Sequence, residues 1–127
     1  MTRVTAAVLR RGDEYLICRR TNGLWEFPGG KIESGETPEQ CLIRECMEEL
    51  SILIRVGELL ERVETVNDDG RRLEIQFYEA ELLQGQPCAS VHTEISFVPL
   101  CALSSYEFCP ADQIFLEHRI NGEGTDR

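Results

Sequence analysis

The chain has 127 residues, and we expect one domain over residues 1–120 followed by a disordered polar tail over residues 121–127. Its formal net charge of −10 argues against a nucleic-acid polymer as partner, because such binding depends on Lys and Arg side chains that neutralise phosphates. Hydrophobic residues make up 42% of the chain without a run long enough to span a membrane. With no readable export signal and six cysteines that include no C-x-x-C pair, we expect a cytoplasmic protein with reduced thiols and no zinc site.

The first part of the chain predicts two strands, a loop and a helix. Residues 4–9 and 14–20 favour strands, and Gly12-Asp13 between them is typical of a hairpin turn. The stretch TNGLWEFPGG predicts a loop with a short strand over residues 25–27. Thr37 with Gln40 matches a capping box and Pro38 falls at the first helical position, so a helix is predicted from there to about residue 50.

The rest of the chain predicts three more strands and a second helix. Residues 52–66 and 73–83 favour long strands on either side of the turn sequence NDDGRR, and residues 94–99 favour another strand. Residues 112–120 predict the second helix. This order of elements indicates an α/β or α+β domain with a mixed sheet covered by helices.

The first predicted helix has a crowded acidic face. With Glu45 as reference, Glu48 falls at about −60° and Glu49 at about +40° around the helix axis, so the three carboxylates share one face. The apolar side chains of this helix are expected to face the core; they belong to Leu42, Ile43, Cys46, Met47 and Leu50.

Such a face is either a solvated acidic surface or a site for a hard divalent cation such as Mg²⁺, which takes oxygen ligands. Three glycines just upstream, Gly29, Gly30 and Gly35, favour the second alternative. They allow close backbone approach, which would bring the carbonyl of Gly29 and the carboxylate of Glu36 to the helix.

Residues 30–52, GKIESGETPEQCLIRECMEELSI, closely resemble the Nudix box, whose pattern is G-x5-E-x7-R-E-U-x-E-E-x-G-U with U a bulky apolar residue. The matching residues are Gly30, Glu36, Arg44, Glu45, Glu48, Glu49 and Ile52. Two positions depart from the pattern: Cys46 replaces the usual aliphatic residue, and Ser51 replaces glycine. We expect Cys46 to pack as a small hydrophobe, and Ser51 either to lower stability or to shift the helix end, because it tolerates a left-handed conformation less well than glycine.

The resemblance covers most of the chain and is strongest to MutT-like nucleoside triphosphate pyrophosphohydrolases. It implies an α/β fold, namely an α/β/α sandwich with a mixed central sheet, and Mg²⁺ or Mn²⁺ as cofactor. The implied reaction converts a nucleoside triphosphate to the monophosphate and pyrophosphate, as in nucleotide-pool sanitation and DNA repair, with a modified or oxidised substrate such as 8-oxo-dGTP. Alternatives are a CTP- or 5-methyl-dCTP-type pyrophosphohydrolase, a broad housekeeping activity and a non-catalytic nucleotide-binding domain. The protein is expected to be a monomer or a homodimer.

The same resemblance implies roles for the residues of the box. The carbonyl of Gly29 and the carboxylates of Glu45, Glu48 and Glu49 would be the metal ligands. Arg44 would orient these carboxylates, Glu36 would support the loop, and Glu45 is taken as the general base. These five residues, Glu36, Arg44, Glu45, Glu48 and Glu49, form the predicted catalytic set. Glu94 is either a further metal ligand or an exposed strand residue.

Family members bind the base between the early strands and the late helix. The predicted substrate-binding residues are therefore Arg20, Glu26, Phe27, Pro28, Gly29, Arg71 and Asp112. Arg20 and Arg71 have solvated charges as their alternative. Asp112 either reads hydrogen-bond donors of the base or caps the second helix. His92 either lies on the surface or lines the pocket.

Overall fold

The computed structural model describes residues 1–67 and 69–125, the last five of these by their backbone alone. In chain order the strands are β1 (Thr2–Arg11), β2 (Glu14–Arg19), β3 (Trp25–Glu26), β4 (Gly29–Lys31), β5 (Leu53–Val66), β6 (Arg72–Gln84) and β7 (Glu94–Pro99). Helix α1 (Pro38–Leu50) follows β4, and a 3₁₀ helix (Leu100–Ser105) precedes helix α2 (Pro110–Thr125). Every predicted strand and helix is confirmed, while β4 and the 3₁₀ helix were not predicted.

The strands form one mixed sheet of seven strands in the order β3-β2-β1-β6-β5, with β4 paired to β1 and β7 to β2. Strand β1 runs parallel to β6, from the pair Thr2–Leu73 to the pair Leu9–Ala80. The other pairings between these strands, as the described residues show them, are antiparallel. β1 therefore lies next to both the longest antiparallel ribbon, β5–β6, and the short strand β4 that leads into α1.

Both faces of this sheet are covered by a core. Because successive side chains of a strand point to opposite faces, Ala6 and Val8 of β1 join one core while Ala7 and Leu9 join the other. The first core is aromatic and packs under α2, where the rings of Phe77 and Phe115 stack with centroids 4.3 Å apart. The second packs under α1 through Leu42, Cys46 and Leu50. This arrangement confirms the predicted α/β/α sandwich.

Helix α1 begins with the predicted capping box. Thr37 Oγ1 accepts a hydrogen bond from the backbone N–H of Gln40 at 3.1 Å, and Gln40 Oε1 accepts one from the backbone N–H of Thr37 at 3.0 Å. The helix ends at Leu50, and the C-cap residue Ser51 has φ 59° and ψ 37°, which is the left-handed conformation that glycine would favour. Ser51 therefore takes the backbone conformation expected of the box glycine, although it carries a side chain.

The prediction that Ile43 and Met47 face the core is wrong. Their side chains are 36% and 47% exposed, whereas Cys41, which was not predicted to be buried, is fully buried. On a helical wheel Cys41 lies at about −40° from Glu45, so the buried face is turned toward the glutamates and away from Ile43 and Met47. The helix thus presents Glu45 to β4 and leaves two apolar side chains in water.

Helix α2 begins two residues before the predicted start and continues to Thr125, so the backbone of residues 121–125, predicted as tail, is helical. The last two residues of the predicted tail, 126 and 127, and residue 68 of the NDDGRR turn lie outside the described residues. Among the helices that the structure describes, none has the length and apolar character needed to cross a membrane.

Candidate active site

A cleft of about 730 Å³ is lined by residues of both helices and of the paired strands β1 and β4. Its walls come from β1, the β2–β3 loop, the end of α1, the β5–β6 turn, the loop before β7 and the start of α2. Of the predicted site residues, Arg20, Glu26, Phe27, Gly29, Glu49 and Asp112 line this cleft together. The fold therefore brings one residue of the acidic helix close to most of the predicted substrate residues.

The two glycines before α1 lie where an added Cβ would clash, Gly29 with backbone atoms and Gly30 with a side chain. A Cβ added to Gly29 would lie 1.9 Å from the carbonyl oxygen of Thr5, and one added to Gly30 would lie 2.1 Å from Glu45 Oε2. The backbone of β4 is thus packed against β1 on one side and against a carboxylate of α1 on the other. Thr5 Oγ1 and Cys41 Sγ both lie within hydrogen-bonding distance of the Gly30 carbonyl, at 3.3 Å and 3.4 Å.

Arg44 holds three of the predicted glutamates. Its Nε and Nη2 donate to the two carboxylate oxygens of Glu36 at 2.6 Å and 3.0 Å, and its Nη1 donates to Glu45 Oε1 at 2.8 Å and Glu48 Oε1 at 3.1 Å. Glu36 also accepts a hydrogen bond from the backbone N–H of Glu33 at 3.0 Å. The Arg44 guanidinium, followed by this backbone bond, lowers the pKa of Glu36 to about 2. Glu36 therefore fastens the loop to the helix as an anion.

Glu49 is the helix glutamate that reaches the cleft, and its surroundings disfavour the ionised form. Burial, and then the charge of Glu45, raise the pKa of Glu49 to about 7. Such crowding of carboxylates is what a divalent cation would relieve, and oxygen is the ligand that Mg²⁺ prefers. The donor set therefore fits the predicted ion. Among the described residues, no three His, Cys, Asp or Glu side chains are already gathered around one point.

Asp112 lies in the first turn of α2 and is 6% exposed. Its Oδ2 accepts a hydrogen bond from the backbone N–H of Phe27 at 3.0 Å, so it ties α2 to the segment that leads into β4. Burial raises the pKa of Asp112 to about 8. Burial therefore favours the protonated carboxyl group, which is able both to donate and to accept a hydrogen bond.

Seven predicted site residues are not among the described residues that line this cleft: Glu36, Arg44, Glu45 and Glu48 of the box, and also Pro28, Arg71 and Glu94. The side chain of Pro28 is fully buried, and its carbonyl accepts from the backbone N–H of Ala7 at 2.7 Å. Arg71 is exposed in the β5–β6 turn, with its Nε 3.6 Å from Asp69 Oδ2. Glu94 pairs with Arg19 across β2 and β7, at 3.6 Å between Nη1 and Oε1. The described residues that line the cleft do not include Pro28, Arg71 or Glu94.

His92, whose position the sequence left open, belongs to the cleft. Its side chain is 5% exposed, and its Nε2 lies 2.9 Å from Glu26 Oε2. Thr5 and Cys41, which hold the Gly30 carbonyl, were not predicted either. Thr5 is one of few polar side chains among the described residues to be fully buried. The sequence signal for it was that it is a single polar residue inside the apolar run of β1, because buried polar groups need hydrogen-bond partners.

Comparisons with known proteins identify the family of this chain. The NUDIX domain model matches residues 1–124. The chain is 31% identical over 134 residues to the putative 8-oxo-dGTP diphosphatase 2 of Mycobacterium tuberculosis, covering 97% of this chain and 93% of that protein. It is 32% identical over 122 residues to the CTP pyrophosphohydrolase of Escherichia coli, covering 92% and 90%. It is 38% identical over 88 residues to the 8-oxo-dGTP diphosphatase of Escherichia coli, covering 69% and 67%.

Solved structures show the same fold. The solution structure of the E. coli ORF135 protein has a TM-score of 0.87 and 31% sequence identity, covering 95% of this chain and 89% of that one. The crystal structure of a MutT NUDIX hydrolase from Burkholderia pseudomallei has a TM-score of 0.82 and 27% identity, covering 91% and 95%.

The chain therefore belongs to the Nudix family and is a hydrolase that acts on phosphorus anhydrides. Nudix enzymes act on small-molecule nucleotide substrates and in general use a divalent metal ion.

Proposed function

We propose that this Nudix hydrolase is a Mg²⁺-dependent pyrophosphohydrolase of nucleoside triphosphates, with modified or oxidised substrates such as 8-oxo-dGTP preferred. The observation that carries the proposal is that Glu49 of the acidic helix and Asp112 of α2 line the same cleft of about 730 Å³, a volume typical of small-molecule sites. Such an enzyme would remove damaged nucleotides from the nucleotide pool of the cytoplasm. It would act as a monomer or a homodimer.

The residues proposed to hold the cation are the carbonyl of Gly29 and the carboxylates of Glu45, Glu48 and Glu49. Mg²⁺, or Mn²⁺ in its place, would neutralise the negative charge that develops on the phosphates during hydrolysis. Arg44 is a positioning residue in this proposal, because it donates to Glu45 and Glu48 from one nitrogen. Glu94 is left out of the proposed set, since it is ion-paired with Arg19 outside the cleft.

Hydrolysis also needs a group that takes a proton from the attacking water. We propose Glu45 for this role. Its Oε1 is held by Arg44 at 2.8 Å, and its Oε2 lies against Gly30 of β4 without a bond from Arg44, so one oxygen is positioned and the other is free to accept a proton. Glu36 acts indirectly, through Arg44. Its two carboxylate oxygens accept hydrogen bonds from Arg44 and keep that side chain in place beside Glu45.

The base of the nucleotide is proposed to lie toward Asp112 and Phe27, with Arg20 close to the sugar or phosphates. A protonated Asp112 both donates and accepts, which suits a base edge that carries a donor next to an acceptor, as guanine and its oxidised forms do. The 8-oxo-dGTP diphosphatases among the relatives support this assignment.

A second candidate is a pyrimidine triphosphate, such as CTP or 5-methyl-dCTP. It is supported by the similarity to the E. coli CTP pyrophosphohydrolase, which extends over 92% of this chain. A broad housekeeping activity would show as similar rates for both classes of base.

The test is release of pyrophosphate in the presence of Mg²⁺, measured across 8-oxo-dGTP, dGTP, CTP, 5-methyl-dCTP and ADP-ribose. Glu49→Gln should abolish turnover, whereas Glu39→Gln, an exposed change in the first turn of the same helix, should leave it intact. Preference for 8-oxo-dGTP supports the first candidate, and preference for the pyrimidines supports the second. Turnover of ADP-ribose alone, or of none of the five, would overturn the proposed substrate class.

A further inference from the structure

His92 contains the one polar side-chain atom, among the described residues, that is buried without a hydrogen-bond partner. That atom is Nδ1, and the ring forms part of the cleft wall beside Glu26. Buried polar atoms in native proteins are nearly always paired, so an unpaired one in a ligand cleft needs an explanation. A bound ligand that supplies the missing partner is such an explanation.

The bond to Glu26 decides what kind of partner Nδ1 needs. An ionised carboxylate only accepts, so Nε2 of His92 carries the hydrogen at 2.9 Å from Glu26 Oε2. In the neutral ring Nδ1 is then an acceptor with a free lone pair. It requires a ligand N–H or O–H group and would repel a phosphate oxygen.

The segment that carries His92 is held on both sides. Ser90 Oγ donates to the backbone carbonyl of Glu49 at 2.9 Å, and the backbone N–H of Thr93 donates to the carbonyl of Arg19 at 2.9 Å. His92 therefore lies between the end of α1, where Glu49 is, and strand β3, where Glu26 is. The residue after Glu26, Phe27, is the one bonded to Asp112.

From this placement we infer that His92 Nδ1 accepts a hydrogen bond from the 3′-hydroxyl of the nucleotide sugar, with Glu26 fixing the tautomer. The inference rests on the proposed function, in which the phosphates lie at the glutamates of α1 and the base lies at Asp112, so that the sugar is between them. The triphosphate offers only hydrogen-bond acceptors. The sugar hydroxyl is the hydrogen-bond donor that lies between the phosphates and the base. His92 is thus a specificity-determining residue for a nucleotide with a free 3′-hydroxyl.

The test compares each deoxynucleotide with its 2′,3′-dideoxy analogue, using dGTP with ddGTP and dCTP with ddCTP. The measured quantity is the ratio of kcat/KM within each pair, for the wild type, His92→Gln, His92→Asn and the exposed control His118→Gln. The glutamine amide keeps a donor for Glu26 and lacks the acceptor at the Nδ1 position. Asparagine keeps an acceptor near that position and lacks the bond to Glu26.

We expect the wild type and His118→Gln to favour the deoxynucleotide by about threefold to tenfold, the worth of one neutral hydrogen bond. His92→Gln should bring the ratio to about one, and His92→Asn should retain part of it. An unchanged ratio in His92→Gln overturns the inference. A ratio that is unchanged while the preference between dGTP and dCTP shifts overturns it as well, because Nδ1 would then face the base.

Binding separates failure of this inference from failure of the proposed function. Calorimetric titration of dGMP and ddGMP into the same variants repeats the comparison without turnover, and thermal unfolding without nucleotide shows that each variant is folded. Absence of hydrolysis in the wild type, with the difference between dGMP and ddGMP preserved and lost in His92→Gln, would overturn the proposed reaction and support the sugar contact.

Discussion

Glu45 and Gly30 are in such close contact that the carboxylate occupies the space where a side chain on residue 30 would begin. A Cβ there would lie 2.1 Å from Glu45 Oε2 and 2.4 Å from its carboxylate carbon. The glycine that opens the Nudix box therefore leaves room for the carboxylate of the glutamate that lies fifteen positions later, in the position that this carboxylate takes in the structure.

Gly30→Ala should displace the Glu45 carboxylate while leaving the fold intact. Because a shift of about 1 Å in a catalytic group costs on the order of 100-fold, we expect kcat to fall by at least that factor. Affinity for Mn²⁺, measured by electron paramagnetic resonance, should fall with it. Ser34→Ala, a change of an exposed side chain in the same loop, is the matched control. Equal loss of activity in both variants would contradict the proposed contact.

Ser51→Gly should stabilise the protein. Ser51 is the non-glycine residue with a positive φ among the residues described, at 59°, and a left-handed conformation costs a residue with a Cβ about 1 kcal/mol. A gain of that size corresponds to a rise in Tm of about 3–5 °C for a domain of this length. Thermal unfolding checks the prediction, with Ser51→Ala as the control that should give no gain. A Tm for Ser51→Gly at or below that of the wild type would refute it.

The ion pair of Glu36 with Arg44 should make stability depend on pH in the acid range. Because the folded pKa of Glu36, about 2, lies below the ordinary value of 4.5, its contribution is present above pH 4.5 and is lost as the pH falls toward 2. We expect Glu36→Gln to be less stable than the wild type at pH 7 and the difference to shrink below pH 4.5. Urea unfolding at pH 7, 5, 4 and 3 measures this, and a difference independent of pH would be the contrary result.

The contribution of Asp112 to stability should depend on pH in the opposite sense to that of Glu36. Its folded pKa of about 8 lies above the ordinary 3.8, so its contribution is fully present below pH 3.8 and is lost as the pH rises through 8. Asp112→Asn keeps an oxygen for the N–H of Phe27 and does not ionise. We expect this variant to gain stability relative to the wild type between pH 4 and pH 8 and to show a constant difference above that.

Urea unfolding at pH 5, 7 and 9 tests the Asp112 prediction. Asp13→Asn, in the exposed β1–β2 turn, is the control for the loss of one negative charge. If both variants show the same dependence on pH, net charge and not burial of Asp112 is responsible.

Local patterns predicted most of this fold because their physical causes are local. The capping box at Thr37 and Gln40 formed as predicted, since its bonds join residues three positions apart. The rotation of α1 was not predictable in this way. Which side of a helix is buried depends on the surface against which it packs, so Ile43 and Met47 are exposed although their apolar character predicted burial.

The same distinction applies to the candidate site. The fixed spacing of the box predicted the grouping of Glu36, Arg44 and Glu45, which lie on one helix and its adjoining loop. Glu94 was assigned on its place in a later strand, but its partner follows from the register of β2 with β7, in which it stands opposite Arg19. His92 depends on a loop between strands, where no periodicity predicts the direction of a side chain.

The parallel pairing of β1 with β6 has a consequence for how the chain folds during synthesis. The first strand, Thr2–Arg11, pairs with β2 and β4, which both begin within about twenty residues of its end, but its parallel neighbour β6 begins at Arg72. On the ribosome the segment that carries the box therefore emerges well before β6, and the sheet that supports it is completed only when that later strand is available. The carboxylates of α1 acquire their final geometry after more than half of the polypeptide has been made.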